Sequence, residues 1–197
     1  VKVARWCADR RARGTPGWLS TTVSSAVRLC QAAQEHGLDI SGTFIRTGGE
    51  PLSPAKARAI RDAGCVVRSQ YAVAEVGRMA IGCGRPLADD ELHVMSDKVA
   101  FLQREVDLLG GTRVPALFVT TVRWNAPKVM LNVETGDTAL MERRACGCQW
   151  DALGFTDHLT TIRSYEKLTS EGMHFVGTDL LRVLEDVLPA RDRKSTR

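Results

Sequence analysis

The chain has 197 residues and a mass of 21.6 kDa, 44% of them hydrophobic and 25% charged, which is enough apolar material to bury a core and excludes disorder as the main state. Lys+Arg 27 against Asp+Glu 23 leaves a formal charge of +4; Arg191, Arg193, Lys194 and Arg197 crowd the C-terminus, so the rest is near neutral and lacks the basic, aromatic-interleaved face of a nucleic-acid binder. No apolar run approaches the roughly 18 residues of a membrane helix, and six irregularly spaced cysteines fit reduced thiols better than a secreted disulfide scaffold, so a cytoplasmic protein without nucleic-acid or membrane partners is expected.

Val1 rather than methionine opens the chain, and an excerpt of a longer polypeptide is expected. Over residues 20–36, Val23, Ala26, Val27, Cys30 and Ala33 recur at helical spacing, and Gly37 follows as a stop. The hydroxyl-rich stretch 20–25 reads as the N-cap region of that helix. Thr43-Phe44-Ile45 predicts a strand that runs into Gly48-Gly49-Glu50-Pro51. Ser53 and Pro54 then supply an N-cap and a first-turn proline, Ala57 and Ile60 an apolar stripe, and Gly64 a stop. Cys65-Val66-Val67 predicts the next strand, completing a parallel strand-helix-strand unit.

Beyond Tyr71 the helical period ends. Strands are predicted at 79–81, 92–95, 99–102, 115–121, 129–133 and 138–141, so the middle of the chain is expected to be β-rich. A closing helix is predicted from Thr178, with Leu180, Leu181, Leu184, Val187 and Leu188 on one face and Pro189 as its stop. The polar, basic stretch 190–197 is expected to be a disordered tail.

Three stretches carry candidate chemistry. Two glycines before Glu50 and Pro51 at a strand end allow a backbone to approach a flat ligand, although a strand-to-helix turn needs glycine anyway. Tyr71 stands four residues before Glu75 after another strand, so an aromatic could flank a nucleobase while the carboxylate helps hold Mg²⁺ near phosphates. In Thr135-Gly136-Asp137 the carboxylate could accept both hydroxyls of a ribose, and the same tripeptide is also ordinary hairpin-loop chemistry.

The order of these motifs, followed by Cys146-Gly147-Cys148, Arg163-Ser164 and a closing Leu-Glu-Asp-Val-Leu helix, resembles the adenylate-forming acyl-activating superfamily over residues 18–189. Its phenylacetate-coenzyme A ligase branch is the most similar. The resemblance implies an α/β fold: part of the large adenylating domain over residues 1–163, a strand-helix-strand unit followed by a β-rich subdomain. The hinge and the first helix of a small C-terminal domain would follow over 164–189, and the tail over 190–197. It implies ATP, Mg²⁺, coenzyme A and a small carboxylic acid as ligands. Gly49, Glu50 and Pro51 match the adenine pocket, Tyr71 and Glu75 the aromatic-to-carboxylate motif, Asp137 the ribose-binding acid and Arg163 the arginine before the hinge. Tyr165 and Glu166 stand at the hinge itself.

The sequence departs from that pattern at three places. Ala72 and Ala74 replace the Gly and Thr between Tyr71 and Glu75, Tyr165 replaces a hinge carboxylate, and neither the phosphate loop nor the catalytic lysine of the family is present. The isolated chain is therefore expected to be inactive. A relative that acylates a protein thiol or an amine fits the same motifs, as does a non-catalytic, zinc-stabilised nucleotide-binding or interaction module.

Cys83, His93, Cys146 and Cys148 form a second constellation, a Cys₃His set suited to structural Zn²⁺ if the β segments that carry them pack together. Some proteins resembling phenylacetate ligases have a similar arrangement. Four unrelated residues, with the cysteines packed as small hydrophobes, is the alternative.

Overall fold

A computed structural model describes residues 1–108, 113–165, 169–170, 173–174 and 187. The chain opens with α1 (Lys2–Ala12), β1 (Trp18–Thr22) and α2 (Val23–Glu35), followed by β2 (Phe44–Gly48), α3 (Pro54–Asp62) and β3 (Val66–Val73). Strands β1, β2 and β3 pair in parallel, with Trp18 opposite Phe44 and Phe44 opposite Val66. The predicted strand-helix-strand unit is present, its helix capped by Ser53, whose Oγ accepts the Lys56 amide at 3.4 Å, with Pro54 in the first turn.

Two elements of this half differ from the sequence expectation. Helix α1 buries only Ala4 and Cys7, too few positions to register as an apolar stripe. Residues 20–22, expected within the helix, belong to β1: Thr22 closes the strand and its Oγ caps α2 by accepting the Ser25 amide at 3.3 Å. One hydroxyl residue thus serves two elements with no loop between them.

The β-rich half comprises β4 (Gly77–Gly82), β5 (Leu92–Val94), β6 (Val99–Asp107), β7 (Arg113–Thr121), β8 (Val133–Arg143) and β9 (Asp157–Ser164), all antiparallel to their neighbours. A small pair, β10 (Thr169–Ser170) with β11 (Met173–His174), stands apart. Among the described residues one nine-stranded mixed sheet runs in the order β1-β2-β3-β4-β5-β9-β8-β7-β6. Strand β3 is its seam, parallel to β2 on one side and antiparallel to β4 on the other.

The predicted strand at 129–133 is a loop: Met130 exchanges hydrogen bonds with Thr121 at 2.9 Å, and pairing of β8 begins only at Val133. Strand β9 was not foreseen, because a bulge breaks its alternation and its inward His158 is polar. The predicted closing helix lies, apart from Val187, outside the described residues, as does the tail.

Among the described residues helices cover only the parallel strands, and the buried apolar residues fall into two clusters. Cys7, Val23, Ala26, Cys30, Ile45, Ala57 and Ile60 form one between the helices and β1–β3. Met79, Leu92, Val99, Leu117, Val119 and Leu159 form the other within the β-rich half. Each fully buried Ile, Leu or Met contributes about 1.5–3 kcal/mol. No helix among the described residues is long and apolar enough to cross a membrane.

Candidate functional site

The seam strand carries Tyr71 beside a register shift, where β3 leaves regular pairing with β4. Its ring packs on the β-rich core, 6.1 Å from the Phe101 ring, and its hydroxyl donates to Asp137 Oδ2 at 2.6 Å. Burial, reinforced by that hydrogen bond, pushes the Tyr71 phenol well above its ordinary range. Asp137 sits on β8 just after Gly136, whose φ of +74° demands glycine. The fold thus brings together two residues 66 positions apart in the chain.

The other candidates stand on separate elements. Gly49 (φ +75°) turns the chain out of β2, and Glu50 turns back to α2, its Oε2 accepting the Ser24 amide at 2.8 Å and the Ser24 hydroxyl at 2.5 Å. The carboxylate therefore rests on a helix N-terminus, where the dipole favours it. Pro51 follows in the link to α3. Glu75 is exposed in the turn between β3 and β4, flanked by the small Ala74, with no hydrogen bond or ion pair among the described residues.

Arg163 is held elsewhere: its guanidinium donates to the Ile162 carbonyl at 2.9 Å and lies 3.9 Å from Asp90 Oδ2. It pairs in register with Thr138 and so occupies the sheet face opposite Asp137, which pairs with Ser164. Tyr165 is tied to the ribose-loop candidate, its amide donating to the Gly136 carbonyl at 3.1 Å and its hydroxyl to Glu134. Glu166 lies outside the described residues.

Cys83, His93, Cys146 and Cys148 do converge, with ligand atoms all within 4.8 Å of one another. Cys83 Sγ is 3.6 Å from Cys146 Sγ, and His93 Nε2 is 3.5 Å from Cys146 Sγ and 3.2 Å from Cys148 Sγ. Tetrahedral zinc with Zn–S bonds of about 2.3 Å spaces its sulfurs about 3.8 Å apart, so the quartet fits that ion. The surroundings fit as well: His93 Nδ1 meets the Phe155 carbonyl at 2.5 Å, fixing Nε2 as the free nitrogen, and the Arg85 and Trp150 amides donate to Cys83 and Cys148 at 3.3 Å. Burial pushes the Cys83 thiol up to about 12. Burial would raise Cys148 too, but the Asp151, Gly84 and Trp150 amides outweigh it and bring the thiol to about 6.

Beside the quartet lies a charged cluster that the sequence reading missed. Glu91 is 2% exposed, and its Oε1 meets Arg144 and stands 2.5 Å from His158 Nδ1. That His158 contact is off hydrogen-bond alignment, and His158 Nε2 has no partner among the described residues. Burial would raise the Glu91 carboxyl, but the Leu87 amide and Arg144 outweigh it, leaving it below its usual range. Cys83, Glu91 and His158 also bring ligand atoms within 4.8 Å, but the Arg144 charge on Glu91 opposes a cation there. The only sequence signal was the acidic run Asp89-Asp90-Glu91 placed directly before a buried strand.

No protein-family model matches the chain, and no curated protein matches it. Solved structures do match. One, 2-hydroxyisobutyryl-CoA ligase in an open conformation with 2-HIB-AMP and CoA, aligns at a TM-score of 0.66 and 18% identity over 94% of this chain. The chain has the fold of part of that ligase. The same ligase in its post-adenylation state, with R3-HIB-AMP, aligns at a TM-score of 0.65 and 19% identity over 90% of this chain. The alignments cover 44% and 39% of those ligase chains, so the sequence spans less than half the length of the enzymes it matches.

Proposed function

We propose that this chain is part of an ATP-dependent carboxylic acid-coenzyme A ligase, and that Tyr71 and Asp137 hold the adenosine of the acyl-adenylate. The observation that carries the reading is their meeting at 2.6 Å on the seam of an adenylate-forming fold. In the first step a carboxylate oxygen attacks the α-phosphorus of ATP, an acyl-phosphate bond forms, and pyrophosphate leaves. In the second a thiolate attacks the acyl carbon and AMP leaves.

Asp137 accepts the ribose hydroxyls, and Tyr71, bonded to it, orients the carboxylate while its ring borders the base. Gly49 opens the backbone at the end of β2, where the adenine would lie, and Glu50, anchored on α2, fixes the loop that carries Pro51. Tyr165, whose amide donates to the Gly136 carbonyl, would border the ribose end of the site; Arg163, on the opposite sheet face, would act at the hinge with Tyr165 and Glu166 rather than on the adenosine. Glu75, a carboxylate without a partner among the described residues, would be the oxygen ligand for Mg²⁺, which when bound would neutralise phosphate charge. An aryl or other small organic acid, as in phenylacetate-type ligases, is the substrate class, and zinc in the Cys₃His quartet has a structural role.

Ala72 and Ala74 favour a second reading, a nucleotide-binding module without turnover, since no hydroxyl faces the phosphates from that motif. Both readings require adenosine recognition at Asp137. Calorimetric titration of AMP into the protein is expected to give saturable binding, weakened at least tenfold by Asp137→Ala. Equal affinity in the two proteins would overturn the site.

A further inference from the structure

Three consecutive acids, Asp89, Asp90 and Glu91, lead into β5, and each grips a different part of the molecule. Asp89 accepts both terminal nitrogens of Arg61, near the end of α3. Asp90 Oδ2 accepts the Thr161 amide at 2.9 Å and faces Arg163 at 3.9 Å. Glu91 accepts the Leu87 amide at 2.5 Å, meets Arg144 and His158, and takes the Cys83 amide on its own carbonyl at 3.0 Å.

The Glu91 partners also adjoin the metal quartet. Arg144 stands two residues before Cys146, and the His158 ring lies 4.1 Å from the ring of His93. The Asp90 partner is unusual in a different way. Thr161 has φ +56°, a left-handed conformation that a β-branched residue adopts only when its surroundings impose it. Between Thr138 and Leu140 on β8 the partner strand runs from Arg163 to Thr160, so β9 carries an extra residue there. That bulge returns Ile162 to the core and puts Arg163 on the opposite face.

We propose that the Asp89-Asp90-Glu91 segment couples the Cys-His metal site to Arg163. With metal in the quartet, Arg144 and His158 are fixed and clamp Glu91; Asp90, on the adjoining peptide, is then held against Thr161 and keeps the bulge that orients Arg163. Asp90 is a positioning residue for Arg163, although it lies 47 positions before Asp137 and outside every motif of the nucleotide site. The inference rests on the metal reading given above.

The test uses the whole chain, with Co²⁺ as the optical probe of thiolate ligation and amide hydrogen exchange over residues 157–164 measured with and without Zn²⁺. Zinc is expected to slow exchange in that segment at least tenfold. Asp90→Ala should keep the Co²⁺-thiolate spectrum and reduce the slowing to less than threefold, whereas Asp90→Asn, which retains an acceptor for the Thr161 amide, should restore it. Arg144→Gln approaches from the other end and should also lose the slowing with metal still bound. If Asp90→Ala and Arg144→Gln exchange like the parent, or if metal binds the parent without slowing exchange, the coupling is wrong and the metal reading survives. If no metal binds at all, both are overturned.

Discussion

Tyr71→Phe removes one hydroxyl from the seam of the sheet and leaves the ring against Phe101. The lost bond runs at 2.6 Å to a carboxylate, and hydrogen bonds to charged groups contribute about 1.5–3 kcal/mol. Asp137 is half-buried, so water can replace the phenol on it, and a loss of about 1–2 kcal/mol at neutral pH is expected. The variant also predicts a pH signature. The folded phenol titrates above its unfolded value of about 10, so its contribution is fully present below pH ~10 and is lost as pH rises from there toward the folded value, at up to about 1.4 kcal/mol per pH unit. Urea denaturation between pH 7 and 11 should show parent stability falling more steeply than that of Tyr71→Phe, with the two curves converging at the alkaline end. Parallel curves would refute a Tyr71 phenol raised by burial and by this bond.

Chelation or Cys148→Ser should destabilise the β-rich half, with a lower denaturation midpoint that added Zn²⁺ restores only in the parent; Co²⁺ bound by the parent should give a thiolate charge-transfer band, reduced in the variant. Leu117→Ala, at a fully buried position in the second cluster, should cost about 2–5 kcal/mol in the same assay, while Leu87→Ala, at an exposed site, should stay within about 0.5 kcal/mol of the parent. Thr22→Ala removes the cap of α2 and should cost about 1 kcal/mol by thermal unfolding.

Local chemistry was what the sequence made legible. Ser53-Pro54 marked the start of α3, the β-branched runs marked β2, β3 and β7, and Gly49 marked the turn out of β2, whereas Gly136, which read as hairpin-loop chemistry, lies inside β8. Elements whose stability comes from partners far along the chain were not legible. Helix α1 has too small an apolar face to announce itself, and β9 buries a histidine against a glutamate from the segment before β5. The Tyr71–Asp137 bond joins residues that only strand order brings together, and nothing in the spacing placed Arg163 against Asp90. The Cys₃His set could be named from residue type, but its convergence depends on β4, β5 and the segment after β8 meeting at one corner.

Acid-dependent exchange of ATP with pyrophosphate, measured on the protein that carries this chain, tests adenylation most directly. The account predicts exchange that requires a carboxylic acid and falls at least 100-fold in both Glu75→Gln and Asp137→Ala. Exchange that persists unchanged in both variants, or an absence of exchange with every aryl and short-chain acid tried while AMP still binds, would contradict it.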